Sequence, residues 1–484
     1  MPMPSLLWFD YETTGTDPVR DRPLQFAAQR TDLALQAIDD GATWYCKPAP
    51  DVLPQPEACL ITGLAPQDAD RDGCIEAEFA ARVHEALAEP GTCSVGYNSI
   101  RFDDELNRNL FRRNFFDPYE HAWRNGNARW DIMDLARACY ALRPEGIAWP
   151  EADGGGPSFK LDRLAPANHL EQARAHEALS DVGATLALAR LLRQRQPRLY
   201  DWHFALRDKH AVASRLADAM SRRDPLLHVS GRYLPDRGCL AMVVPLAEIP
   251  GRAGSFIVAD LGVDPRGWAD VGADELADRL FTPRADLPED MERPPLKAVH
   301  ANRSPFLAPV SVLKDTDTAR IALDADTCLA NLGTLRGTPG LEDKVRRVFA
   351  QSSERWPERS DPECRLYAGF ASPADQRRLA AVRATPPARL ATHAFDFDNP
   401  DYAELLFRYR ARNWPETLAN DEHDRWRAWV RDKLTRDLET TTLTLEDYRA
   451  TLARLRTERP PGAAQHLLDQ LDAWGEDVAR EFGL

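Results

Sequence analysis

Two acids separated by a single residue, Asp10 and Glu12, follow an apolar run near the start of the sequence. The run, residues 6–9, predicts a buried strand, and because side chains alternate faces along a strand, the two carboxylates point the same way. Like charges at the end of a buried strand repel each other and are costly to desolvate. A divalent cation between them relieves that cost, and hard carboxylate oxygens suit magnesium or manganese. The alternative is an ordinary polar strand end that runs into a turn at Thr14 and Gly15.

Three further residues from two other segments could join this pair. Asp103 follows a short apolar run, predicted as a strand over residues 92–97, at the expected start of a helix. Asp is also a common helix N-cap, which would explain either Asp103 or Asp104 without any chemistry. His176 and Asp181 stand at the entry to a long predicted helix. Residues five apart lie ~140° around a helix axis, so a shared site requires His176 in an irregular entry turn.

Each of these signals alone has an ordinary structural explanation, but together they specify one kind of chemistry. Four carboxylates that converge on one point require two cations to balance their charge. Two cations ~3.5–4 Å apart can activate a water molecule and stabilise the leaving oxygen of a phosphodiester. A neutral histidine beside them can accept the proton of the attacking water. The combination therefore predicts metal-assisted phosphodiester hydrolysis.

The charge of the chain limits how it could bind a nucleic acid. The 484 residues carry a formal net charge of -15, so attraction of the whole chain to phosphates is unfavourable and any positive surface must be local. In residues 108–143 arginines outnumber acids and are interleaved with aromatic residues. This composition suits a single strand, since charge follows the phosphates and rings stack on bases. A helical pair with core aromatics and solvated arginines explains the same composition at least as well.

Several classes of protein are disfavoured by the sequence. No apolar run reaches the ~18 residues that a membrane span needs, and the N-terminal residues do not resemble a signal or transit peptide. The eight cysteines include no Cys-x-x-Cys pair, so neither a zinc site nor a redox motif is indicated. They are typical of reduced thiols, and we expect a cytoplasmic protein without membrane contact.

The length and the order of the predicted elements divide the chain into three regions. Residues 5–195 alternate strands and helices and predict an α/β domain. Residues 196–352 contain short β-like runs separated by Gly and Pro turns, with helical insertions, and predict a small β-barrel-like domain. Residues 353–484 place apolar side chains at helical spacing and predict an all-α domain.

Several longer motifs extend over nearly the whole chain. They include Tyr-Glu-Thr-x-Gly-Thr, Asp-Arg-Pro-x-Gln-Phe-Ala-Ala, Gly-Tyr-Asn-x-x-Arg-Phe-Asp-Asp-Glu, Ala-Cys-Tyr-Ala-Leu-Arg-Pro-Glu-Gly and Tyr-Arg-Ala-Arg-Asn. They resemble the bacterial exodeoxyribonuclease I family, within the DEDDh exonucleases of the RNase H-like superfamily. The resemblance implies an RNase H-like exonuclease domain, a Src-homology-3-like barrel and a helical C-terminal domain. It also implies a C-shaped monomer that degrades single-stranded DNA processively from 3′ to 5′, releasing 5′-mononucleotides in DNA repair and recombination.

The resemblance assigns two Mg²⁺ ions, for which Mn²⁺ can substitute, to the four acids named above. Three of them, Asp10, Glu12 and Asp181, match the first metal site, and Asp103 joins Asp10 in the second. The motif thereby selects Asp103 over its neighbour, and His176 matches the general base.

The resemblance also implies DNA contacts along the chain. The matching positions carry mostly basic or aromatic side chains: Arg108, Tyr119, Trp123, Arg137, Arg143, Lys160, Lys209, Lys297 and Asn302. Lys160 stands where the family usually has arginine, so it keeps the charge but loses the two-pronged phosphate contact. The loop 250–255 departs from the family pattern, and no DNA contact is assigned to it. Docking of the acidic tail of single-stranded DNA-binding protein is implied as well, and C-terminal arginines could supply its charge.

Two other functions fit parts of the sequence. An exonuclease acting on RNA ends would use the same carboxylates, but a small RNA trimmer would not need residues 196–484. A DNA-binding scaffold with an inactive nuclease fold is disfavoured, because all five catalytic residue types are present. The sequence leaves open the processivity, the metal used in the cell, the pathway served and the pocket of the partner tail.

Overall fold

Strands and helices alternate through the first part of the chain. The computed structural model describes residues 3–170, 178–288, 291–351, 358–458 and 462–484. In chain order the first elements are β1 (Ser5–Thr13), β2 (Pro23–Thr31), β3 (Ala42–Tyr45), α1 (Pro56–Thr62), α2 (Pro66–Asp72), α3 (Glu76–Ala88), β4 (Thr92–Gly96) and α4 (Asp103–Arg113). They are followed by β5 (Ala128–Asp131), α5 (Met133–Leu142), α6 (Leu161–Ala167) and α7 (Ala178–Arg195).

The strand β1 is the middle strand of a five-stranded sheet with the order β3-β2-β1-β4-β5. It pairs antiparallel with β2 and parallel with β4. Leu7, Phe9 and Tyr11 point from β1 into a core that includes apolar residues of α3 and α4. Asp10 and Glu12 alternate with these residues and therefore face the other side of the strand. The apolar pattern of β1 thus determines which way its acids point.

Short strands and helices make up the middle of the chain. They are α8 (Pro197–Ala205), α9 (Lys209–Arg222), β6 (Leu226–Val229), β7 (Leu240–Glu248), β8 (Ser255–Asp260), α10 (Ala273–Phe281), β9 (Leu296–His300), β10 (Leu307–Pro309), α11 (Ala325–Gly337) and α12 (Leu341–Ala350). The strands form a second sheet, β10-β6-β7-β8-β9, in which every neighbouring pair is antiparallel. Leu216 of α9 packs with Val243 and Phe256 in its core.

The described part of the chain after residue 357 is helical. It contains α13 (Pro373–Ala384), α14 (Asp401–Asn413), α15 (Asn420–Thr435), α16 (Leu445–Glu458) and α17 (Ala463–Phe482). Trp426, Tyr448 and Leu471 share one core, so the apolar stripes predicted from helical spacing are buried faces. None of the helices in the described ranges combines the length and the apolar character that crossing a membrane requires.

The chain folds into two compact units. The first contains residues 1–128, 172–186 and 359–484, and the second contains residues 129–171 and 187–358. The C-terminal helices therefore belong to the same unit as most of the sheet around β1. Within this unit, Leu53 and Cys59 from the N-terminal segment share a core with Phe407 of α14.

A cluster of buried charges joins the N-terminal and C-terminal segments of the first unit. Asp51 accepts hydrogen bonds from Arg412 at 2.8 and 2.9 Å and from Lys433 at 2.7 Å. Arg412 also meets Glu363 at 2.6 Å, and Arg22 reaches the same carboxylate at 2.6 Å. None of these five side chains is more than 4% exposed. Each charge is thus compensated by a partner from the other segment.

Candidate active site

Three carboxylates converge at one place in the first unit. Oxygen atoms of Asp10, Glu12 and Asp181 all lie within 4.8 Å of one another. The first two alternate with buried apolar residues on β1, and the third lies in the first turn of α7. A strand from the start of the chain and a helix from far along it therefore supply one acidic cluster.

Asp103 influences this cluster without being one of the three. It is the first residue of α4, is 5% exposed, and gives the largest contribution of any neighbouring charge to the raised pKa of Asp10. The N-cap explanation for Asp103 and Asp104 is wrong. Both residues lie inside the helix, and Phe102 occupies the N-cap position without a side-chain hydrogen bond.

Burial and mutual repulsion raise the pKa values of both acids on β1. Burial has the largest effect on Asp10, followed by the charges of Asp103, Glu12 and Asp181, and the pKa lies well above its ordinary value. Burial, Asp181 and Asp103 raise the pKa of Glu12 to about 8. No basic side chain is among these contributors. The cluster offers carboxylate oxygen atoms, which are hard donors, and this donor set fits a divalent metal ion.

The expected general base, His176, lies in the stretch 171–177, outside the described residues. The described chain resumes at Ala178, in α7. The assignment of His176 therefore stays a prediction.

The aromatic residues of the 108–143 segment divide between core and surface. Phe111 and Phe115 are fully buried, whereas Trp123 is 58% exposed. Arg108 is itself buried, where it pairs with Glu105, and its guanidinium lies 5.6 Å from the ring centroid of Tyr119. Some of the segment's aromatic residues therefore belong to the core, and DNA binding by the exposed ones stays a prediction.

Two exposed aromatic residues from the C-terminal part of the chain lie beside Arg108 and Tyr119. The sequence patterns do not indicate them. Tyr367 is 65% exposed, and its hydroxyl accepts a hydrogen bond from Arg108 at 3.0 Å. Phe370 is 85% exposed, and its ring meets Tyr119 edge to face at 5.3 Å. The local signal, two aromatics in a stretch without helical periodicity, is too weak to show which segment they join.

Three of the expected DNA contacts in the second unit have defined partners there. Arg137 pairs with Asp134 at 2.7 Å. Arg143 donates to the hydroxyl of Thr316 at 2.7 Å. Lys297 lies 2.9 Å from His228, between Nζ and Nε2.

The remaining expected contacts of the second unit are exposed. Lys160 occupies the N-cap position of α6, and Lys209 is the first residue of α9. Asn302 is exposed as well, and its backbone carbonyl accepts a hydrogen bond from Arg129 at 2.8 Å.

The arginines of α14 are committed to internal ion pairs. Arg408 pairs with Asp361 at 2.8 Å, and Arg410 pairs with Glu422 at 2.6 Å. Arg412 belongs to the buried charge cluster. None of these three arginines is therefore free to bind an acidic partner.

Three family models match successive parts of the chain. The model described as Exonuclease matches residues 7–189, the Exonuclease I SH3-like domain matches residues 207–351, and the Exonuclease I C-terminal domain matches residues 360–478. The expected fold class is confirmed: an α/β exonuclease domain, an SH3-like domain and a helical C-terminal domain.

Individual proteins of the same kind are similar over almost the whole length. Exodeoxyribonuclease I of Escherichia coli is 45% identical over 422 residues, which are 87% of this chain and 88% of that protein. The structure of an exonuclease I from Methylocaldum szegediense, 46% identical, covers 98% of this chain and 99% of its own with a TM-score of 0.93. Exonuclease I of E. coli in complex with a dA16 oligonucleotide, 42% identical, covers 98% and 100% with a TM-score of 0.93.

Two further solved structures show what such proteins bind. One is the zinc ion bound form of an E. coli ExoI-ssDNA complex, and the other is an ExoI/SSB-Ct complex. Each is about 41% identical to this chain and covers at least 98% of it. The family models, the identity and the coverage together show that this chain belongs to the exodeoxyribonuclease I family.

Proposed function

We propose that the protein is a 3′→5′ exonuclease that degrades single-stranded DNA processively to 5′-mononucleotides. The observation that carries the proposal is the carboxylate cluster of Asp10, Glu12 and Asp181, with oxygens within 4.8 Å of one another in a chain of this family. The relative with a bound dA16 oligonucleotide supports single-stranded DNA as the substrate.

The acids of the cluster would hold the metal ions of the reaction. Asp10, Glu12 and Asp181 would hold one ion, and Asp10 with Asp103 would hold a second. Mg²⁺ is the metal that we propose, with Mn²⁺ as a substitute, because all the ligand atoms are hard oxygens. When bound, such ions supply positive charge for the transition state and make water a stronger nucleophile.

The protein's own side chains would perform the remaining tasks of the hydrolysis. The four carboxylates must be ionised to bind metal, although burial and repulsion raise the pKa values of Asp10 and Glu12 and so favour the protonated forms of these two. His176 would accept the proton of the attacking water at a ring nitrogen, for which a neutral imidazole is required. The buried faces of β1 and α4 hold the acids on regular elements, which limits their movement.

The surface around Tyr119 would bind bases of the DNA strand. Trp123, Tyr367 and Phe370 are exposed rings that can stack on bases regardless of sequence. Arg108 contacts the Tyr119 ring and donates a hydrogen bond to the Tyr367 hydroxyl, so it would hold these two rings in place. In the second unit, exposed cations such as Lys160 and Lys209 would contact phosphates.

Further properties follow from the family. We propose the domain division 5–195, 196–352 and 353–484, which the ranges of the three family models support. The ExoI/SSB-Ct complex supports docking of the acidic tail of single-stranded DNA-binding protein. A cytoplasmic monomer that acts in DNA repair and recombination is the form that we propose.

One degradation assay tests the proposal. Single-stranded DNA labelled at either the 3′ or the 5′ end, and the matching RNA, are incubated with the full chain in Mg²⁺ or in EDTA. We expect Mg²⁺-dependent release of 3′-terminal mononucleotides from DNA, a 5′-labelled product that shortens progressively, and little loss of RNA. Faster loss of RNA would favour an RNA exonuclease, and DNA binding without release would favour an inactive scaffold.

A further inference from the structure

A side chain of the sheet reaches the helix that carries Asp181. Gln25 of β2 lies opposite Glu12 of β1 in the antiparallel pairing and is 4% exposed. Its Oε1 accepts a hydrogen bond from the backbone N–H of Ala178 at 3.3 Å. Ala178 lies three residues before Asp181 on the same helix, α7. Gln25 therefore joins the neighbouring strand directly to the part of α7 that carries Asp181.

A second hydrogen bond links β1 to the helix that carries Asp103. Tyr11 lies between Asp10 and Glu12 in sequence, and its hydroxyl donates to Oδ1 of Asn107 at 2.6 Å. Both side chains are buried, at 5% and 0% exposure. Asn107 follows Asp103 by four residues, about one turn of α4, so the two lie on the same side of the helix. This bond fixes the position of α4 along β1.

We propose that Gln25 and Tyr11 are positioning residues for metal binding. The inference rests on the proposed function. Carboxylate oxygens of Asp10, Glu12 and Asp181 lie within 4.8 Å of one another, so repulsion between like charges acts to separate α7 from β1 while no cation is bound. Asp103 would add a further negative charge at the start of α4. The two hydrogen bonds oppose that separation and keep the carboxylates at the spacing that one divalent ion can bridge.

The two bonds act on different acids, which gives them separable effects. Gln25 holds the helix of Asp181, which belongs to the cluster within 4.8 Å. Loss of the Gln25 hydrogen bond weakens binding of the ion held by Asp10, Glu12 and Asp181. Tyr11 holds the helix of Asp103, which lies outside that group, so its loss lowers kcat more than it lowers affinity for the first ion. Changing a residue that orients metal ligands costs roughly 10–100-fold in affinity or activity.

The test measures Mg²⁺ binding to the full chain without DNA, by calorimetric titration, and then the Mg²⁺ dependence of activity. For Gln25→Met, which keeps the size but removes the acceptor, we expect about tenfold weaker Mg²⁺ binding. The Mg²⁺ concentration for half-maximal activity should rise by the same factor, while KM for DNA stays within about twofold. Gln25→Glu retains an acceptor oxygen and should recover kcat at saturating Mg²⁺.

The matched control is Gln29→Met, on the same face of β2 but opposite Trp8 instead of Glu12, which should bind Mg²⁺ like the wild type. Equal Mg²⁺ binding by the wild type and Gln25→Met would overturn the positioning role and leave the nuclease function intact. A wild type that neither binds Mg²⁺ nor degrades DNA would instead overturn the proposed function. Should Gln25→Met fail to fold by circular dichroism, Tyr11→Phe, which removes one oxygen atom, decides the proposal through its kcat at saturating Mg²⁺.

Discussion

Protonation of Glu12 should couple the stability of the metal-free protein to pH. The pKa of this buried carboxyl is about 8, against an ordinary value of 4.5. A raised pKa means that the folded protein holds the proton more tightly than the unfolded chain. The contribution of Glu12 to stability is therefore greatest at low pH and falls as the pH rises from 4.5 to 8, by at most about 1.4 kcal/mol per pH unit. Over that interval the loss approaches roughly 5 kcal/mol, and Asp10, whose pKa is also raised, acts in the same direction.

Metal binding should reverse this loss, because the ion and the proton compete for the same oxygen atoms. Below pH 8 each Mg²⁺ displaces at least one proton, so its Kd should fall about tenfold for each pH unit between pH 6 and 8. Titration calorimetry in two buffers of different ionisation enthalpy measures the number of protons released. Thermal denaturation with EDTA or Mg²⁺ measures the stability, and the gain in Tm from Mg²⁺ should grow with pH.

Glu12→Gln is a direct control, which should release one proton fewer on binding Mg²⁺ and bind it more weakly. A Kd that stays constant from pH 6 to 8, with no proton released, would refute the assignment of a raised pKa to this acid. A gain in Tm that shrinks as the pH rises would refute the sign of the linkage.

Three further changes have defined expected outcomes. Asp10→Ala should abolish DNA cleavage with little loss of DNA binding in a gel-shift assay, and retained activity would reject its metal role. Without metal, this variant should also melt at a higher temperature than the wild type, because one buried repelling charge is gone. Trp123→Ala should weaken DNA binding by ~1–3 kcal/mol in fluorescence titrations, since this exposed ring has no core to support, and an unchanged Kd would exclude stacking. Asp51→Ala should destabilise the protein by about 3–5 kcal/mol in urea denaturation, because Arg412 and Lys433 would stay buried without their carboxylate; a loss below 1 kcal/mol would show that water compensates them.

The order of elements and much of the acidic cluster could be predicted from local patterns. The apolar residues of β1 alternate with Asp10 and Glu12, and that alternation requires no knowledge of the rest of the chain. The start of α4 at Asp103 also follows from the sequence. The N-cap explanation failed because an acid at the start of a helix can serve as a cap or lie in the first turn, and only the backbone angles distinguish the two.

Contacts between distant segments could not be predicted in the same way. Tyr367 and Phe370 join the surface of Tyr119 through contacts that no local spacing encodes. The arginines of α14 look free in the sequence, yet each pairs with an acid from elsewhere in the first unit. Composition shows that such charges exist, but only the packing shows which of them remain available to a ligand.

The buried charges that join the N-terminal and C-terminal segments also bear on how the chain folds during its synthesis. The ribosome adds Arg412, a partner of Asp51, 361 residues after Asp51 itself. At ~5–20 residues per second this delay is about 20–70 s. Until Arg412 and Lys433 are made, the carboxylate of Asp51 lacks the positive partners that it has in the folded protein. We therefore expect a chain truncated before Arg412 to leave Asp51 without its partners, and the nuclease fold to become stable only when translation has nearly ended.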